Sequence, residues 1–258
     1  ESSRVDNYPG IPGIDGYSLG EKFREHAESL GVELTEAQVL SLGQKDGIWI
    51  IGCDEDITLE SKAVIYATGC KNRPLGVPGE EKYYGRGLSF CAVCDGAFYK
   101  GKRVAVIGGG DTALDDAMYL SDICEKVYLV HRREFFRGSA STLEKLKQKE
   151  NVEIIVNARV EEITGDKKID GIILDNKTKL NISGLFAAVG MIPQTELLKE
   201  FGVLDESNYV KASEDTKTTV NGLFAAGDVR TKQLRQVVTA AADGANAIYS
   251  VMEYLRNI

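Results

Sequence analysis

Residues 103–120, RVAVIGGGDTALDDAMYL, constrain this chain more than any other segment. A short, continuously apolar run (103–107) reads as a strand buried on both faces, the kind found in parallel sheets. It feeds directly into Gly108-Gly109-Gly110 and then a helix from Asp111 to about Ser121. Gly108, Gly110 and Ala113 fall on the G-x-G-x-x-A pattern of a dinucleotide-binding turn. The first Gly permits the tight turn, the second lets backbone approach a pyrophosphate, and the Ala allows close helix–strand packing. Asp111 and Thr112 open the helix, whose free N–H groups and positive dipole end suit phosphate. A strand–turn–helix of this kind requires an α/β fold with a parallel sheet.

The next strand, 126–130, decides which nucleotide is read. An NAD site places a carboxylate at its end to hold the ribose 2′-OH. Here the strand runs into His131, Arg132 and Arg133, with Arg137 four residues on. Guanidiniums cannot accept from a hydroxyl, but they grip a 2′-phosphate with charge-assisted bonds, so the expected nucleotide is NADP(H). The net charge is −8, which argues against nucleic acid or an anionic membrane as the main partner. No apolar run approaches the ~18 residues of a membrane helix.

Five cysteines, an odd number with one close pair, do not make a secreted disulfide framework, and a cytoplasmic protein is expected. The pair is Cys91-Ala92-Val93-Cys94, followed by Asp95. Zinc needs two more ligands, and the two histidines, His26 and His131, are remote in sequence, so no metal site is expected. A carboxyl beside a thiol pair can exchange protons during thiol–disulfide chemistry. A dithiol couple encoded beside an NADPH turn suggests electrons moving from NADPH to a disulfide. A disulfide does not readily take hydride directly, and a flavin is the usual intermediary. Two strand ends offer a flavin site: 223–226 leading into Gly227-Asp228 and then a helix near Arg235, Gln236 and Val237, and 63–67 ending at Thr68-Gly69.

The remaining pattern gives a helix capped by Ser18 and running to about Leu30, and strands at 32–34, 37–42, 47–52, 63–67 and 152–156. It also gives a helix at 141–149, an antiparallel meander over 159–180, a buried strand at 185–189 and a final helix over 233–255. Breakers cluster at 72–80 and at 190–193.

Together VDNYPG, AVIYATG, LGVPGE, CAVCDGAFY, VIGGGDTALDDA, HRREFFR, LFAAVG and GLFAAGDVR with RQVVTAAADG resemble, in order, the bacterial-type low-molecular-weight thioredoxin reductases. The resemblance implies two discontinuous Rossmann-like domains. One is an FAD domain, 1–72 and 191–258. The other, 73–190, is an inserted NADPH domain carrying the redox pair. It implies catalytic Cys91, Cys94 and Asp95. NADPH would be bound by Gly108, Gly110, Asp111, Thr112, His131, Arg132, Arg133 and Arg137. FAD would be bound by Asn7, Thr68, Gly69, Gly227, Asp228, Arg235, Gln236 and Val237. Electrons would pass from NADPH through FAD to the cysteine pair and on to thioredoxin, in a homodimer. The family opens with a further strand, glycine-rich turn and helix for the ADP half of FAD, and nothing here matches that unit. Two alternatives follow: a reductase of another small redoxin, or an NADPH-binding fragment without catalysis.

Overall fold

The structure is a computed structural model, and it describes residues 5–258. The chain forms two compact units. The first comprises Asn72–Gly190 with residues 5–7 and Gly13–Gly16, and the second comprises Tyr8–Pro12, Tyr17–Lys71 and Met191–Ile258.

The first unit is built on a five-stranded parallel sheet. Its order is Leu88–Ser89, Gly184–Ala188, Arg103–Gly108, Lys126–Val130, Val152–Ile155. The apolar run 104–107 alternates between two cores, as the strand period of 2 dictates. Val104 and Val106 join Phe186, Val127 and Leu129 beneath the helices Asp111–Ile123 and Ala140–Lys147. Ala105 and Ile107 face the other way with Leu185, Ala187 and Val130. That second face is covered by the antiparallel meander Val160–Thr164, Gly171–Leu174, Lys179–Asn181 through Ile163, Ile172, Leu174 and Leu180. A sheet buried on both faces explains why these strands read as unbroken apolar runs.

The second unit holds an antiparallel sheet, Val39–Lys45, Ile48–Cys53 and Thr58–Ser61, and a parallel pair, Val64–Tyr66 with Leu223–Ala225. Its core gathers Trp49, Tyr66, Leu198, Val203, Val210, Leu223 and Val229. The helices Gly16–Ser29 and Val237–Leu255 belong to it almost wholly.

Four readings are corrected. Residues 32–34 form no strand, and Val32 and Leu34 lie exposed with no strand partner. Ser18 lies inside its helix, which begins at Gly16, so it is not the cap. The last helix begins at Val237 rather than 233, because Gln236 is extended and its N–H is bonded by Thr239 Oγ1, the geometry of an N-cap. The strands Thr58–Ser61, Cys70–Asn72 and Leu88–Ser89 carry too few apolar residues in a row to be read from pattern.

Candidate active site

The glycine turn leaves the C-terminal end of the sheet's central strand. A Cβ on Gly108 would lie 2.4 Å from the Ala188 carbonyl oxygen and 2.7 Å from the Ala113 Cβ, so only Gly fits between strand and helix. A Cβ on Gly110 would meet nothing, and open space lies over that backbone. Gly110 is the N-cap of the 13-residue helix Asp111–Ile123, and no side chain caps it. An uncapped helix N-terminus facing open space fits a pyrophosphate. Asp111 instead turns aside to accept from the Ser139 N–H at 2.7 Å. Thr112 is exposed in the helix's first turn.

The arginine loop is fastened to this turn. The N–H groups of Arg137 and Gly138 donate to the Gly109 carbonyl at 2.7 and 3.2 Å. Arg132, Arg133 and Arg137 are all exposed, free to meet a phosphate. His131 is placed differently: it is buried, and its ring covers Gly109, where a Cβ would lie 2.2 Å from Cε1. Its Nε2 carries the proton, since the partner 3.1 Å away is the Phe135 carbonyl, which can only accept. Burial, helped by the three arginines, holds its pKa below the usual imidazole value despite that bond. The His131 ring thus packs under the loop against Gly109, while the three arginines stay exposed. Gly109, absent from the sequence reading, is what makes room for it.

Cys91 and Cys94 are joined as a disulfide, with Cα atoms 5.3 Å apart. Cys91 is the N-cap of the single turn Ala92–Asp95, and its Sγ accepts from the Cys94 N–H at 3.2 Å. Ala92 is fully buried in the core that also holds Ala113 and Leu114 of the helix Asp111–Ile123. Gly96 lets this turn press against that helix, where a Cβ would come within 2.7 Å of the Tyr119 ring. The disulfide and the glycine turn therefore share one core. Asp95 accepts from the Ser89 hydroxyl at 2.6 Å, and Ser89 in turn accepts from the Cys91 N–H at 3.1 Å. Ser89 was not singled out from sequence, since a lone Ser in an otherwise apolar segment carries no motif.

In the second unit, the parallel pairing of Tyr66 with Ala225, extended by the Ala226 N–H to Tyr66 carbonyl bond, brings the two strand ends together. Thr68, Gly69, Gly227 and Asp228 are thus neighbours, tied by a Cys70 Sγ to Asp228 carbonyl bond of 2.9 Å. Asp228 Oδ1 is buried with no hydrogen-bond partner. Burial pushes its carboxyl pKa up, and Lys232 and Arg235 pull against that. An orphaned buried acceptor at the mouth of two strand ends fits a ligand hydroxyl such as the ribityl chain of a flavin. Several supporting groups are already engaged. Thr68 Oγ1 donates to the Gln194 carbonyl at 2.6 Å. Arg235 donates to the Asp228 and Arg230 carbonyls and stacks 4.1 Å over Tyr209. The Gln236 N–H is capped by Thr239 Oγ1, and Val237 starts the helix, partly exposed. Asn7 is exposed and belongs to the first unit. Cys70 was not read as part of this group. Burial raises its thiol pKa, although the neighbouring Arg235 opposes this, and it remains a protonated donor.

Among the described residues no group of three or more His, Cys, Asp or Glu could hold a metal ion, and no helix is long and apolar enough to cross a membrane.

Comparison with known proteins gives this arrangement its family. The pyridine nucleotide-disulphide oxidoreductase description matches residues 6–244. A thioredoxin reductase of Helicobacter pylori is 39% identical over 99% of this chain and 86% of its own. The crystal structure of thioredoxin reductase from Streptococcus pyogenes superposes with a TM-score of 0.91 at 38% identity, covering 100% of this chain and 86% of that one. The Giardia duodenalis enzyme gives 0.90 at 37%, covering 99% and 86%. The family match over residues 6–244 and the identity and coverage shared with these thioredoxin reductases establish that the chain belongs to the pyridine nucleotide-disulphide oxidoreductase family, among its thioredoxin reductases.

Proposed function

We propose that this chain passes electrons from NADPH, through FAD, to the Cys91–Cys94 disulfide and from there to thioredoxin. The observation that carries the reading is the disulfide with Asp95 beside it, packed on the same helix whose N-terminus meets the nucleotide. FAD, when bound, supplies the step between a two-electron hydride donor and a disulfide.

The chain's own residues do the rest. Gly108 and Gly110 admit the pyrophosphate, and Arg132, Arg133 and Arg137 select the 2′-phosphate. Asp228 accepts from the flavin's ribityl chain, while Thr68, Gly69, Arg235 and Gln236 shape the turn around it. Reduction leaves two sulfurs and the Asp95 carboxyl to manage protons. One cysteine thiolate attacks the thioredoxin disulfide, and the departing sulfur takes a proton held by Asp95. The second cysteine gives its proton to Asp95, attacks the first sulfur, and releases thioredoxin's remaining sulfur, which is protonated in turn. One enzyme disulfide forms, one thioredoxin disulfide breaks, and two electrons and two protons have moved.

We place the protein in the cytoplasm, on its odd and mostly unpaired cysteines. A homodimer is proposed as well, with Ile248, Tyr249 and Met252 of the last helix as the exposed apolar face available for it. The two domains, 1–72 with 191–258 and 73–190, are proposed as the FAD and NADPH domains. The direct test is an anaerobic visible spectrum of the FAD-loaded protein. NADPH is expected to bleach the flavin band, and oxidised thioredoxin to restore it. Bleaching without restoration by thioredoxin overturns the substrate, and no bleaching overturns the pathway.

A further inference from the structure

Ser89 occupies a position that the proposed chemistry leaves unexplained. It ends a two-residue strand at the edge of the parallel sheet, its neighbour Phe186 buried in the core, and Ser89 itself is only 6% exposed. Its single hydroxyl proton has one good acceptor, Asp95 Oδ2 at 2.6 Å, while the Cys91 N–H fills a lone pair at 3.1 Å. The contact to the Cys91 carbonyl is longer, at 3.4 Å. An N–H that can only donate and a carboxylate that can only accept fix the direction of the hydroxyl proton.

We propose that Ser89 is a positioning residue for thiol–disulfide exchange: its hydroxyl, anchored in the sheet, holds Asp95 in one rotamer and leaves Oδ1 as the oxygen that trades protons with the sulfurs. The inference rests on the reading of Cys91–Cys94 as the redox pair. The geometry makes the carboxyl's location independent of the short turn that carries it. Asp95 belongs to a four-residue helix, which has little stiffness of its own, whereas Ser89 belongs to the sheet. Tying the Cys91 N–H to the same hydroxyl sets the carboxyl and the first sulfur in a common frame. The orphan cost explains why the arrangement is all or nothing. Without the hydroxyl, a half-buried carboxylate loses its short bond, and a part-buried N–H loses its acceptor.

The test uses Ser89→Ala, Ser89→Thr, Asp95→Asn and the double variant in the FAD-loaded protein. For Ser89→Ala, kcat with thioredoxin is expected to fall about 10- to 100-fold, the scale of a misplaced catalytic group. NADPH-driven reduction of ferricyanide, which bypasses the cysteines, stays at the parent rate. Ser89→Thr restores most of the loss. The double variant is no slower than Asp95→Asn alone, because the hydroxyl works only through that carboxyl. A second readout needs no flavin turnover. The chemically reduced cysteine pair is mixed with bis(2-hydroxyethyl) disulfide, whose leaving thiolate needs a proton, or with the aromatic disulfide DTNB, whose leaving thiolate does not. Ser89→Ala is expected to slow the first reaction and spare the second. Equal slowing of both, additive losses in the double variant, or an unchanged Ser89→Ala enzyme overturns the role. If the parent protein reduces ferricyanide but no thioredoxin, the proposed substrate fails, while the small-disulfide comparison still decides for or against Ser89.

Discussion

Asp243 and Arg230 form a two-toothed ion pair in the second unit, Oδ1 to Nη2 at 2.7 Å and Oδ2 to Nε at 2.8 Å, with both side chains 3% exposed or less. The same carboxylate accepts from Lys232 Nζ and from the Gly227 N–H, each at 2.8 Å. One buried anion thus pins the last helix to the turn that presents Asp228. Breaking such a pair strands a buried cation, so Asp243→Asn is expected to cost about 3–5 kcal/mol. Thermal denaturation of the variant checks this, and an unchanged melting temperature contradicts it.

The same carboxylate gives a pH dependence with a definite sign. Burial pushes its pKa up, but Arg230, Lys232 and the Gly227 N–H outweigh that and bring it down to about 2. A depressed folded-state pKa contributes stability above the unfolded value near 4, and that stability is lost as pH falls toward 2. The contribution is about 2–3 kcal/mol. Denaturant titrations between pH 5 and pH 2 should therefore fall more steeply for the parent than for Asp243→Asn, which lacks the titrating group.

The glycine turn separates folding from binding. Gly108→Ala drives a methyl into the Ala188 carbonyl and is expected to destabilise the first unit by about 1–3 kcal/mol. Gly110→Ala meets no protein atom, so its melting temperature should match the parent while NADPH binding weakens. Calorimetry of both variants, with and without NADPH, distinguishes the two effects. Equal melting temperatures for both would refute the packing argument.

Replacing Arg132, Arg133 and Arg137 together by Ala removes the three exposed cations of the loop. Loss of charge-assisted bonds to the 2′-phosphate should raise the KM for NADPH about 10- to 100-fold. The KM for NADH, which lacks that phosphate, should barely move. Parallel rises for both nucleotides would assign the arginines a general electrostatic role.

The Cys94 N–H aimed at Cys91 Sγ favours negative charge on Cys91 once the bond is reduced. Cys91 is therefore expected to attack the substrate. A Cys94→Ser protein should accumulate a mixed disulfide with thioredoxin, visible on a non-reducing gel, and Cys91→Ser should not. The reverse pattern would exchange the two roles.

The first unit was legible where burial on both sheet faces forces unbroken apolar runs, as at 103–107 and 126–130. The Arg cluster, the cysteine pair and the paired strand ends at Gly69 and Gly227 could be found because each has a local signature. His131 reads in sequence as one of a basic cluster with its exposed arginine neighbours, whereas its own ring turns inward over Gly109. Nothing local encodes that direction. Residues 32–34 misled in the opposite way: VEL has strand composition, but a strand needs a partner, and pairing is a property of the whole fold. Ser89 and Asp243 escaped notice because their importance lies in contacts 6 and 16 residues away.

The Arg137 and Gly138 N–H bonds to Gly109, with the Ser139 N–H on Asp111, weld the arginine loop to the glycine turn. Under the proposed function, coenzyme preference is then inherited as a cassette. Exchanging the arginines for a carboxylate leaves a scaffold still cut for NADPH. Conversion to NADH demands transplanting 108–139 as one piece, with its underlying histidine and all three glycines.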